Sequence, residues 1–116
     1  MGDLTKNFSR AEFACKCGCG LDAVNPLLPR ILQQIRDHFD KPIRIVSGLR
    51  CESRNKKVGG AKKSQHLYGN AADIQVKDFP PHVVAAYANS IMTGWGGIKA
   101  YPTFTHVDVR QNIWRG

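Results

Sequence analysis

Long apolar runs are missing from this chain: nowhere in its 116 residues is there a stretch near the roughly 18 that a membrane helix requires, so no spanning segment is expected. Acidic residues are scarce, with 9 Asp and Glu against 17 Lys and Arg and a formal charge of +8. The excess is concentrated, because within residues 50–63 Arg50, Arg54, Lys56, Lys57, Lys62 and Lys63 are opposed only by Glu52. Such a patch attracts nucleic acid, anionic lipid or acidic polymers, or is simply a solvated loop. Aromatic residues are absent from the run, so nothing there stacks on bases, and neither helix-turn-helix nor zinc-finger spacing accompanies it. A nucleic-acid partner is therefore not expected. The first six residues lack the apolar stretch of a secretory signal, and Lys6 stands where a myristoylation motif wants Ser or Thr, so neither Sec export nor lipidation is expected. Internal repeats and low-complexity tracts are also lacking.

What is present suits one small globular unit. The hydrophobic fraction is 42% and the charged fraction 22%, an ordinary balance for a folded domain. A chain this short has room for a single modest core, so residues 1–116 are read as one domain, with a Cys-rich segment, residues 1–22, packed on it. Ser9-Arg10-Ala11-Glu12 is a capping box with Phe8 and Phe13 placed as a hydrophobic staple, which starts a short helix at Arg10. Asn25-Pro26 reads as an N-cap and first helical position, and Leu28, Ile31, Leu32, Ile35 and Phe39 then recur at helical spacing. Alternation over residues 43–46 predicts a strand ended by Ser47-Gly48. Residues 49–65 show no regular pattern and read as a long loop, which in so small a domain is functional or disordered. Strands are expected at 71–76, 98–101 and 104–109, the last two as a hairpin around Pro102-Thr103. A helix is expected at 80–92 with Val83, Val84, Tyr87 and Ile91 inward. The order of elements predicts an α+β fold, a small antiparallel sheet flanked by helices.

Of the four histidines, His38 and His82 fall on exposed helix positions and need no function. His66 and His106 differ, because each lies where a loop meets a strand and each has a carboxylate nearby, Asp73 seven residues on and Asp108 two residues on. Two neutral imidazoles with one carboxylate, leaving a fourth position for water, make a usual catalytic zinc set. The fuller string is Ser64-x-His66-x-x-Gly69-x-Ala71-x-Asp73, in which Gly69 permits a turn and Ala71 permits close packing beside a metal. This string resembles the signature of the zinc D-alanyl-D-alanine carboxypeptidase family, which is grouped with lysostaphin-type peptidases and the hedgehog signalling domain. The resemblance runs through residues 8–20, Ser47-Gly48-Leu49-Arg50, residues 55–60, and residues 97–110 with Phe104-Thr105-His106-Val107-Asp108-Val109-Arg110.

The resemblance implies a single domain of that family's fold. It implies zinc held by His66, Asp73 and His106, with Arg50 clamping a substrate carboxylate and Ser64 as a polar contact beside the metal. A planar guanidinium suits that clamp because it grips a carboxylate with two parallel bonds; the competing reading is a salt bridge within the loop. The implied reaction is hydrolysis of peptide bonds in bacterial peptidoglycan stem peptides or cross-links, of carboxypeptidase or endopeptidase type. The alternative is a non-catalytic, zinc-containing module that binds cell wall. Thr103 and Phe104 occupy places where relatives carry an acid or a second His, so the general base is open. Asp108 is the candidate, since residues two apart on a strand face one side, and its other reading is a group that orients a metal ligand.

Tyr68 is a candidate for the substrate groove and for an oxyanion contact, whereas core packing is the commoner fate of Trp95, Tyr101, Phe104 and Trp114. Cys15, Cys17, Cys19 and Cys51 suit a structural zinc site or two disulfides, with neighbours in the run unable to bridge without strain. A protein of this type made in the cytoplasm without a signal peptide reaches the wall after lysis or by virion delivery, as a phage endolysin or virion component does. The basic loop then adds affinity for anionic wall polymers.

Overall fold

The computed structural model describes residues 2–17, 19–20, 22–61 and 64–116. Helix α1 (Arg10–Phe13) begins as its capping box dictates, the Ser9 N–H donating to Glu12 Oε2 at 2.6 Å. Phe8 and Phe13 are both buried with ring centroids 6.0 Å apart, which fixes how the N-terminal segment enters the core. Helix α2 (Leu27–Phe39) buries Leu28, Ile31, Leu32, Ile35 and Phe39, the five residues of the predicted stripe. Its start differs by a residue from expectation. Pro26 is the N-cap, and Asn25 sits outside it with Oδ1 accepting from the Leu27 N–H at 3.0 Å, the local turn that Asn side chains favour.

The sheet contains β1 (Ile43–Ser47), β2 (Ala71–Val76), β3 (Gly97–Ala100), β4 (Thr105–Asp108) and β5 (Trp114–Arg115) in the order β1-β2-β4-β3-β5. All neighbours are antiparallel except β3 and β5. Two residues are too short a strand to show any period, so β5 was invisible in the sequence. Arg115 anchors it, its guanidinium donating to the carbonyls of Met92, Trp95 and Gly96. Helix α4 (Pro81–Ile91) lies with α2 against one face, burying Val84 and Ala88, while Val83, Tyr87 and Ile91 pack half-buried around the core. His38 and His82 are exposed, and His38 stacks on Tyr87 at 3.7 Å.

Residues 49–65 are not the structureless loop that their pattern suggests. They hold helix α3 (Glu52–Lys57), followed by a 3-10 turn, Gln65–Tyr68. The sequence of α3, Glu-Ser-Arg-Asn-Lys-Lys, has no apolar stripe to betray it. Its stability comes from Asn55, buried and donating to the Ala61 carbonyl at 2.7 Å. Lys62 and Lys63, part of the expected basic patch, lie outside the described residues. No helix among the described residues is long and apolar enough to cross a membrane.

Candidate metal centre and cleft

Strand register builds the site. Asp73 on β2 and His106 on β4 are direct cross-strand partners, so their side chains leave the same face side by side. His66 reaches them from the 3-10 turn, whose end is set by Gly69 at φ +72°, a conformation that glycine adopts without strain. The three donor atoms converge. Asp73 Oδ1 lies 3.3 Å from His66 Nε2 and 3.0 Å from His106 Nδ1. Ligands sharing one tetrahedral zinc at bond lengths near 2.0–2.1 Å are separated by roughly 3.3 Å, so the spacing fits a single ion.

The remaining ring nitrogens are committed in the way metal-ligating histidines require. His66 Nδ1 is 2.7 Å from the Gly48 carbonyl, which fixes its N–H there and turns Nε2 to the centre. His106 Nε2 is 2.8 Å from Asp108 Oδ2. Asp108 is itself fully buried and receives Arg110 through Nε at 2.8 Å and Nη2 at 2.6 Å. Any side chain at residue 97 would collide with that carboxylate, which accounts for Gly97. Burial works against ionisation of both aspartates, yet contacts from His106 and His66 hold Asp73 down to about 2, and contacts from His106 and Arg110 hold Asp108 well below the usual range. Burial likewise opposes the His106 cation, but Asp108 and Asp73 outweigh it and raise its pKa.

This geometry decides between the two readings of Asp108. The carboxylate lies behind His106, closed off from solvent and with both oxygens engaged, so the reading as general base does not fit and the orienting reading does. Arg50 is brought to the centre, with Nη2 3.4 Å from Asp73 Oδ2, Nε on Ser47 Oγ at 3.2 Å and Nη1 on Asn55 Oδ1 at 3.3 Å. Ser64 caps the 3-10 turn through its hydroxyl oxygen, which accepts from the His66 N–H at 3.2 Å.

A cleft of about 510 Å³ opens over the donors, lined by Arg50, Ser64 and Gln65 on one side and by Tyr101, Phe104 and Trp114 among its aromatic contacts. Tyr68, expected in the groove, does not line it and is 59% exposed, whereas Tyr101 does line it, with its ring stacked on Phe104 at 4.7 Å. The expectation of core packing holds for Trp95 alone among the late aromatics. Trp114 stands edge-on to His106 at 5.7 Å, with the Arg110 guanidinium over its ring at 4.8 Å. Sequence reasoning missed Arg110 and Asn55 as supports, although both lie in the matched blocks. Their signal is a polar residue type that becomes informative only once burial is known.

Two imidazoles and a carboxylate at a cleft, with a guanidinium beside them, are a donor set suited to a single metal ion. Residues 6–108 match the Peptidase M15 family, and the chain belongs to that family. Over 35 residues, 30% of this chain, it is 51% identical to the zinc D-Ala-D-Ala carboxypeptidase of Streptomyces albus G, and that stretch spans 14% of the relative's length.

Proposed function

We propose that this protein is a zinc-dependent peptidase that hydrolyses peptide bonds in bacterial peptidoglycan, at a terminal D-alanine or within a stem or cross-link. The observation that supports it most directly is the convergence of His66, Asp73 and His106 beneath an open cleft. Zinc bound there supplies an activated water at neutral pH and a Lewis acid for the scissile carbonyl. The chain's own residues do the rest. Gly48 and Asp108 hold the two imidazoles in the ligating tautomer, and Arg110 keeps Asp108 ionised by facing both of its oxygens. Three of the five N–H donors of Arg50 are occupied by Ser47, Asn55 and Asp73, which leaves two to grip a substrate carboxylate. Tyr101 and Phe104 form an apolar wall against which a short peptide can lie.

A second reading, a zinc-containing module that binds wall without cutting it, is favoured by one observation. Among the described residues the cleft has no carboxylate besides Asp73, so no acidic side chain is free to act as proton acceptor. Purified sacculi incubated with zinc-loaded protein separate the two. A peptidase releases new amino termini or free D-alanine, stops with chelator and resumes with zinc. Wall binding that survives with no product by mass spectrometry overturns the hydrolase.

A further inference from the structure

Four cysteines take no part in that centre, and the fold gathers them. Cys15, Cys17 and Cys19 follow α1, while Cys51 caps the start of α3. The two segments are tied by the Leu49 N–H donating to the Phe13 carbonyl at 2.8 Å. Sulfur separations are 3.4 Å for Cys15 to Cys17, 3.8 Å for Cys15 to Cys51 and 3.5 Å for Cys17 to Cys51, and all four sulfurs lie within 4.8 Å of one another. A disulfide needs about 2.05 Å, and all four thiols are free. Four thiolates around one zinc at about 2.3 Å have edges of roughly 3.8 Å.

Backbone donors point inward as well. The Cys51 N–H faces Cys15 Sγ and the Arg54 N–H faces Cys51 Sγ, each at 3.5 Å, the kind of support that stabilises thiolate ligands.

We propose that Cys15, Cys17, Cys19 and Cys51 bind a second metal ion, a zinc in a closed all-thiolate site that is structural. Four protein ligands leave no position for water, and none of the four lines the cleft. The ion clamps the N-terminal segment to the residue next to Arg50, and so stiffens the loop that carries the guanidinium to Asp73.

Protein purified under reducing conditions with zinc should contain two metals per chain. Cobalt(II) loaded in place of zinc should show an intense thiolate charge-transfer band in the near ultraviolet. His66→Ala should keep that band and one metal, whereas Cys17→Ser with Cys19→Ser should lose the band and drop from two metals to one. The wild-type spectrum and the His66→Ala metal count decide the matter even if the cysteine variant fails to fold. Absence of the band in wild type, iron in place of zinc, or paired disulfides in the intact mass of the reduced preparation would overturn the proposal. The band depends only on the thiols, so it survives if the His66 centre proves inactive.

Discussion

Strands β2 and β4 present two different chemistries on their two faces. Ala72, Ile74, Val76 and Val107 turn into the aliphatic core under α2 and α4, while Asp73, His106 and Asp108 turn to the other side and carry the centre. The period of two along a strand lets adjacent residues serve unrelated purposes, and a one-residue slip would exchange them. Stability comes from the first face by burial of carbon. On the second face stability and chemistry pull against each other, because buried polar groups are costly unless partnered. Among the described residues no buried side-chain nitrogen or oxygen lacks a hydrogen-bond partner, so the cost has been met by pairing.

Neighbouring substitutions break the comparison most sharply. His106→Ala should lower peptidase turnover by ~10³-fold or more, and should also destabilise the metal-free protein, because it takes a partner from the buried carboxylates of Asp73 and Asp108. Val107→Ala, one residue on, should cost about 2 kcal/mol of stability and leave turnover per folded molecule unchanged. Chemical denaturation alongside activity measures both, and equal loss of activity in the two would mean that the faces are not separable. A smaller effect is expected behind the ligand. Asp108→Asn should weaken zinc binding by roughly 10–100-fold with the fold retained. In the metal-free wild type, Asp73 and Asp108 hold the His106 proton above the usual imidazole range, and zinc must displace it. Affinity should therefore rise with pH through and above that range, and Asp108→Asn should move the rise to lower pH. Calorimetry in buffers of different ionisation enthalpy reads the proton released; an unchanged profile would remove Asp108 from this role.

Arg50→Lys tests the cleft side. A charge-assisted hydrogen bond contributes about 1.5–3 kcal/mol, so KM should rise at least ~10-fold for a peptide with a free terminal carboxylate and little for its amidated analogue. Equal losses on both substrates would assign Arg50 to placing Asp73 instead.

The parts of the fold legible in the sequence were those with a period or a cap. The stripe of α2 and the capping box of α1 each carry a local signal strong enough to survive in the folded chain, and β2 occupies the residues expected of it, 71–76. The helix in residues 52–57 was not legible, because a six-residue polar helix owes its existence to a buried Asn and a cap, contacts that no window of sequence displays. The donor residues of the centre were recognisable from the motif around His66 and Asp73. Their convergence was not, since it depends on a β2–β4 register in which Asp73 meets His106. The role of Asp108 was ambiguous for a related reason: facing the same side as His106 is compatible with touching substrate or with backing the imidazole, and only the burial of Asp108 behind His106, with Arg110 on both of its oxygens, distinguishes them.

The smallest effect concerns the basic segment. We propose that it draws the protein to anionic wall polymers. Lys56 and Lys57 are exposed at the end of α3, while Gly59, Gly60 and Ala61, immediately after, line the cleft. Charge and cleft rim thus share one short stretch of chain, so two effects of mutation must be separated. Attraction between exposed charges and a polymer is screened over about 8 Å at physiological ionic strength, whereas cleft shape is insensitive to salt. Neutralising Lys56, Lys57, Lys62 and Lys63 should weaken binding to whole walls several-fold at low salt, fade as salt is raised, and leave cleavage of a small soluble peptide unchanged. Equal losses on both substrates, persisting at high salt, would show that the lysines act by holding the rim in place and that long-range attraction contributes nothing.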